Sequence, residues 1–132
     1  MLMVGERKER NIIAIVGSRD LTPEQASVVR AHCLVHLAEV SELVSGGARG
    51  VDTIAEKAAK DLNIHCSIVR PANPSIKRDY ILRNHKIVDY ADKVIAFWDG
   101  KSKGTQSVIK YCEKNKKELL IIRIIKTPRW PN

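Results

Sequence analysis

The sequence predicts an α/β protein: a doubly wound, mainly parallel five-stranded sheet with helices on both faces. Three observations carry this. Five short β-type runs are apolar at successive positions, as strands covered on both sides must be. Helical patterns of roughly 10–18 residues separate them, long enough for right-handed crossovers. And 132 residues make one domain with a core of its own, needing neither disulfide nor metal.

Residues 1–10 are polar and aperiodic and read as a flexible N-terminal segment. Asn11 to Val16 is a continuous apolar run, closed by Gly17. A helix opens at Thr22, a good N-cap, with Pro23 at the first helical position and Gln25 completing a capping box; it runs to about Val40. The run from Glu42 to Ser45 ends in Gly46-Gly47, and a helix from about Asp52 to Leu62 leads to a strand over 64–69. Asn73-Pro74 restarts a helix that reaches about Tyr90. Lys93 to Phe97 is the fourth strand, Thr105 to Asn115 the last helix and Glu118 to Ile125 the fifth strand. The ordered domain is thus expected over 11–125, with 126–132 an irregular tail.

Composition narrows the function classes. Hydrophobic residues make up 44% and charged residues 29%, a globular balance. No stretch approaches the length of a membrane span, and the start, MLMVGERKER, has no apolar core for a secretion signal. Cys33, Cys66 and Cys112 are scattered and odd in number, which suits small apolar residues in a reducing cytoplasm. The net charge is +8, and residues 101–132 hold 9 Lys+Arg against 2 Asp+Glu, so the surplus is concentrated in the last quarter. Such a surface attracts phosphate-bearing partners, or serves as a solvated face.

In a doubly wound sheet, ligands bind beyond the carboxyl ends of the strands. After the first strand stands Gly17-Ser18-Arg19; after the second, Gly46-Gly47-Ala48-Arg49-Gly50-Val51-Asp52 runs straight into a helix. Glycines let the backbone approach an anion, helix-start amides point at it, and Arg19 and Arg49 add forked contacts to phosphate. The same glycines also suit a tight turn without a ligand. Neither loop is a Walker A or a GxGxxG fingerprint.

On the third helix, Ile76, Tyr80, Ile81, Ile87 and Val88 share one arc of about 140°, with Asn84 in its middle and Arg83 just outside its edge. A polar pair placed so faces the ligand cleft or caps nearby backbone. After the fourth strand, Trp98-Asp99-Gly100 leads to Gly104-Thr105 at a helix start, a second place for phosphate or ribose, with Trp98 able to stack on a base. His32 and His36 stand four apart with no third ligand to join them, so no metal and no cofactor is expected.

At these residues the chain resembles known families. Ser45 to Asp52 looks like the signature of the Rossmann-like DprA/Smf DNA-processing proteins. Gly17-Ser18-Arg19, Arg83-Asn84, Ala91-Asp92, Phe97 to Gly100 and Gly104-Thr105 are similar to the small YspA-related DUF2493 proteins. Both groups belong to the SLOG superfamily, with the Lonely Guy (LOG) phosphoribohydrolases. The resemblance implies a Rossmann-like fold, a nucleotide or nucleotide-derived small-molecule ligand, and a homodimer. The first expectation is a binding module in which Gly17, Ser18, Arg19 and the 46–50 loop grip phosphate, Asp52 orders that loop or contacts ribose, and Arg83, Asn84, Gly104 and Thr105 line the cleft.

Two alternatives follow from the same resemblance. In a LOG-like hydrolase of nucleoside monophosphates, Arg83 would be catalytic, and Asp99, or less readily Asp52, would stand in for the missing glutamate. Arg83 precedes Asp92 by the LOG spacing, but Val108 occupies the glutamate's place. DprA-like single-stranded DNA binding would use the basic carboxyl-terminal quarter, although no aromatic residues are interleaved along it.

Overall fold

The computed structural model describes residues 10–125. Its elements are β1 (Ile12–Gly17), α1 (Pro23–Leu37), β2 (Glu42–Ser45), α2 (Val51–Asp61), β3 (His65–Ile68), α3 (Lys77–Tyr90), β4 (Lys93–Trp98), α4 (Lys103–Lys114) and β5 (Glu118–Arg123). The five strands form one sheet in the order β3-β2-β1-β4-β5, every pair parallel. This is the doubly wound fold the sequence predicts. The expected end segments, 1–9 and 126–132, lie outside the described residues. Arg10, counted with the flexible start, donates to the Tyr90 carbonyl at 3.2 Å.

The two-sided burial of β1 explains why it is apolar throughout. Ile13 and Ile15 face α1 and α2, packing with Val29, Cys33, Leu37 and Ala55. Ile12, Ala14 and Val16 face α3 and α4, packing with Ile87, Val88, Val108 and Cys112. Each fully buried aliphatic or aromatic side chain contributes about 1.5–3 kcal/mol. Cys33 belongs to this core, and burial pushes its thiol up to about 12. The edge strands depart from the expectation of burial on both faces. β3 has no fully buried residue, and Ile121 of β5 is 38% exposed, because each has a neighbour on one side only.

The capping box of α1 is present: Thr22 Oγ1 accepts from the Gln25 amide at 3.1 Å, and Gln25 Oε1 accepts from the Thr22 amide at 2.9 Å. Thr22→Ala is therefore expected to cost about 1 kcal/mol in urea denaturation, with no change in ligand binding.

Several boundaries differ from the sequence reading, among them the start of α4, which lies at Lys103 instead of Thr105. Helix α1 stops at Leu37 rather than Val40, because Glu39 turns the chain with φ 68°. Val40 keeps helical spacing from Cys33 and Leu37 yet reaches the core from the loop. Helix α3 starts at Lys77, not at Pro74, because Asn73 Oδ1 accepts from the Ser75 amide at 2.9 Å and holds 73–76 in a turn. Strand β5 ends at Arg123, two residues early, although Ile124 still donates to the Trp98 carbonyl. No helix among the described residues is long and apolar enough to cross a membrane.

Candidate functional site

The strand order reverses between β1 and β4, so the loops leaving these strands diverge over opposite faces of the sheet. A cavity of about 530 Å³ opens there, with Ser18, Arg19, Asn84, Ser102, Gly104 and Thr105 on its wall. Helix α4 enters this wall by its N-terminus. Its N-cap, Ser102, makes no side-chain cap, so first-turn amides are left for another acceptor. The preceding turn is shaped by Asp99, whose carboxylate accepts from the Lys101 amide at 2.8 Å and the Ser102 amide at 2.7 Å. The Ser102 amide and then the Lys101 amide hold the Asp99 carboxyl below its usual range. Ser18 lines the same cavity. It is only 5% exposed, and its Oγ has no hydrogen-bonding partner among the described residues.

The glycine loop between β2 and α2 is organised differently from an empty phosphate cradle. Asp52, in the first turn of α2, turns its carboxylate back, and Oδ2 accepts from the Ala48 amide at 3.1 Å. The Gly47 amide reaches Ser45 Oγ at 3.4 Å. Arg83 closes the arrangement from α3. Its Nη1 donates to the carbonyls of Gly46 at 2.7 Å and Val69 at 3.1 Å, and its Nε donates to Asn84 Oδ1 at 2.8 Å. A side chain on residue 46 would stand 2.8 Å from Arg83 Nη1 and 3.0 Å from Asp52 Oδ2, so it would have to push the Arg83 guanidinium aside. Burial pushes the Asp52 carboxyl up to about 6, against the lowering effect of the Ala48 amide and Arg83, while Glu56 adds to the rise.

A family model, DNA recombination-mediator protein A, matches residues 3–71, more than half of the chain, including both the Gly17-Ser18-Arg19 turn and the glycine loop. The chain belongs to this family. It is thereby a member of the SLOG superfamily, as the resemblance implied. No curated protein matches it. Among solved structures it is similar to DNA processing protein A of Streptococcus pneumoniae, at 20% identity and TM-score 0.74 over 85% of this chain. The chain spans only 50% of that protein. It is similar also to DNA processing protein A of Helicobacter pylori, at 23% identity and TM-score 0.64, over 92% of this chain and 67% of that one. A third likeness is the molybdenum cofactor binding protein of Rippkaea orientalis, at 22% identity and TM-score 0.71, over 87% and 77%. At these identities the likeness speaks for the fold.

The predicted site residues of this DNA recombination-mediator protein A family member divide into three groups. Gly17, Ser18, Arg19, Gly46, Ala48, Asp52, Arg83, Asn84, Asp99, Gly104 and Thr105 all reach the main cavity. Gly47 and Arg49 instead line an adjoining groove, and Arg49 is paired there with Asp20 at 3.1 Å. Gly50 and Trp98 line neither. Gly50 is covered by the backbone of Ser18 and Arg19, and Trp98 is held by its Nε1 donating to the Ser102 carbonyl, with Arg123 over its ring.

The helical wheel also needs correction on α3. Arg83, placed outside the apolar arc, is 6% exposed with its Nε and Nη1 engaged, whereas Asn84, placed at its centre, is half-buried on the cavity wall. Ile76 and Ile81, expected in the core, are 39% and 38% exposed, because the buried contacts of α3 begin only at Arg83.

Arg70 was missed. It stands with Arg19, Arg49, Arg83 and Tyr80 in the adjoining groove of about 530 Å³. The signal was available, since Arg70 closely follows the third strand, where the strand-end rule directs attention. Among the described residues no group of three His, Cys, Asp or Glu side chains is placed to hold a metal.

Proposed function

We propose that this domain binds a nucleotide or a nucleotide-derived phosphate compound in the cleft over β1 and β4. The observation that carries the reading is Ser18 Oγ, buried without a partner in the wall of the cavity that the uncapped start of α4 also lines. A buried hydroxyl left unpaired costs about 1–3 kcal/mol, so Ser18 Oγ calls for a partner from outside the protein, a role a phosphate oxygen can fill. A phosphate on the α4 amides and Ser18 satisfies both, and Arg19 at the rim adds charge. The glycine loop then supports the wall, while its Ala48 amide is occupied by Asp52.

Binding is favoured over glycosidic hydrolysis by three features. The position of the LOG glutamate, Val108, lines the cavity and is apolar. Asp99, the substitute, spends its carboxylate on two amides that keep it ionised, which unsuits it for donating a proton. Arg83, for its part, directs its bonds to backbone carbonyls and Asn84.

A second reading, a single DNA strand, is favoured by the groove beside the cavity. Arg19, Arg49 and Arg70 line it, with Tyr80 supplying an aromatic face. Family membership and the single-stranded DNA binding of the Helicobacter pylori protein support it. A strand held there would lose affinity steeply with salt.

The test uses Gly104. A Cβ at this position meets nothing within 4 Å, and an acid in the first turn of a helix is favourable. Gly104→Asp is expected to leave the melting temperature unchanged or raised, while putting a carboxylate where the phosphate would sit. Calorimetric titration with nucleoside monophosphates and a short single-stranded oligonucleotide should show binding to the native chain and at least a tenfold loss in the variant. Binding of the oligonucleotide alone selects the second reading. If neither probe binds the native chain, the cleft is not a phosphate site.

A further inference from the structure

The cleft contains an anion of its own. Asp52 is 7% exposed, yet it lines the cavity and holds the Ala48 amide of the glycine loop. Its surroundings are mixed. Glu56 on its own helix and Cys66 of β3 belong to the same neighbourhood, Arg83 of α3 is the nearest buried cation, and Arg19 and Asp20 approach from the β1 turn. Asp99 and Lys101 stand on the β4 side, and no histidine lines the cavity. Arg83 is no complete counter-ion: its Nε and Nη1 donate to Asn84, Gly46 and Val69, and no ion pair within 4 Å joins it to Asp52.

Two negative groups enclosed in one concave, partly desolvated site cannot both keep full charge cheaply. We infer that Asp52 competes electrostatically with the ligand's phosphate, so that binding an anion in this cleft takes up a proton on Asp52. The inference rests on the phosphate reading above and adds a specificity rule to it. Asp52 starts near the threshold, since burial has already brought its carboxyl to about 6. An arriving anion raises it further, and linkage then requires affinity to rise as the pH falls. The same rule grades ligands, penalising those that bring more negative charge close to the loop.

The probes are inorganic sulfate and a dinucleoside phosphodiester, whose charges do not change between pH 6 and pH 8. Sulfate is expected to bind the native protein about tenfold more tightly at pH 6 than at pH 8. Titrations near pH 7 in buffers of different ionisation enthalpy should show uptake of a substantial fraction of a proton. The Ala48 amide resonance, which reports its acceptor directly, should titrate at higher pH with sulfate bound than without. Asp52→Asn keeps an oxygen acceptor for that amide and should flatten the pH dependence and abolish the uptake. Should that variant fold poorly, the buffer dependence and the Ala48 titration of the native protein decide alone. Sulfate bound equally at both pH values with no proton uptake would overturn the inference and leave the phosphate reading intact. Failure of both probes to bind at either pH would instead bring down the phosphate reading, and this inference with it.

Discussion

Arg83→Met is expected to destabilise the domain by about 3–5 kcal/mol. The side chain crosses from α3 to the ends of β2 and β3, donating to the carbonyls of Gly46 and Val69 and to Asn84. Methionine fills much of the volume but donates nothing. Two enclosed carbonyls lose a charged donor, each at a cost of about 1–3 kcal/mol. Asp52 also loses the nearest positive charge, which makes its ionised form less favourable still. Burial already pulls the Arg83 guanidinium below its usual value. Arg83→Lys, with one ammonium in place of a fork, should recover only part of the loss. Urea denaturation at pH 7 checks both. A loss below about 1 kcal/mol with nucleotide binding abolished would identify Arg83 as a ligand contact instead of a strut.

Gly50→Ala is expected to cost about 3 kcal/mol or more, from a single methyl group. Residue 50 precedes α2 with φ 81° and ψ −127°, a conformation that L side chains rarely adopt. Space is lacking as well. A Cβ there would lie 2.4 Å from the Ser18 carbonyl oxygen and 2.5 Å from that of Arg19, both backbone atoms that cannot swing aside. The β1 turn must then lift off α2 and break the bond from the Val51 amide to the Ser18 carbonyl, 3.1 Å. Because Ser18 and Arg19 form one wall of the cleft, ligand affinity should fall together with stability. Gly104→Ala is the matched control, and it should be neutral or stabilising by up to about 1 kcal/mol, since alanine suits a helix and meets no neighbour. Thermal melting of the two variants side by side makes the comparison. Equal melting temperatures would mean that the glycine loop tolerates movement the packing forbids.

Much of this molecule is readable from its sequence. The runs from Ile12 and Lys93 announce central strands because residues pointing both ways are apolar, and the Thr22–Gln25 box marks its helix start by local chemistry alone. The strand-end rule collects Ser18, Asp52, Gly104 and Thr105 around one cavity although they are scattered along the chain. The errors have a common origin. A helical wheel assumes that a helix packs along its whole length, and α3 does so only from Arg83 onward. Val40 keeps helical spacing from Cys33 and Leu37, but the chain has already turned at Glu39.

The order of elements, their alternation and the identity of the loops at the strand ends are therefore properties of short stretches of chain, governed by periodicity, caps and turns. Which polar groups in those loops satisfy one another is not. That Arg83 bonds a carbonyl 37 positions away, that Asp52 occupies the Ala48 amide, and that Ser18 is left without a partner all depend on distances between segments remote in sequence. Hydrogen bonds and charges are decided over a few ångströms, and only the packed chain brings those groups within reach.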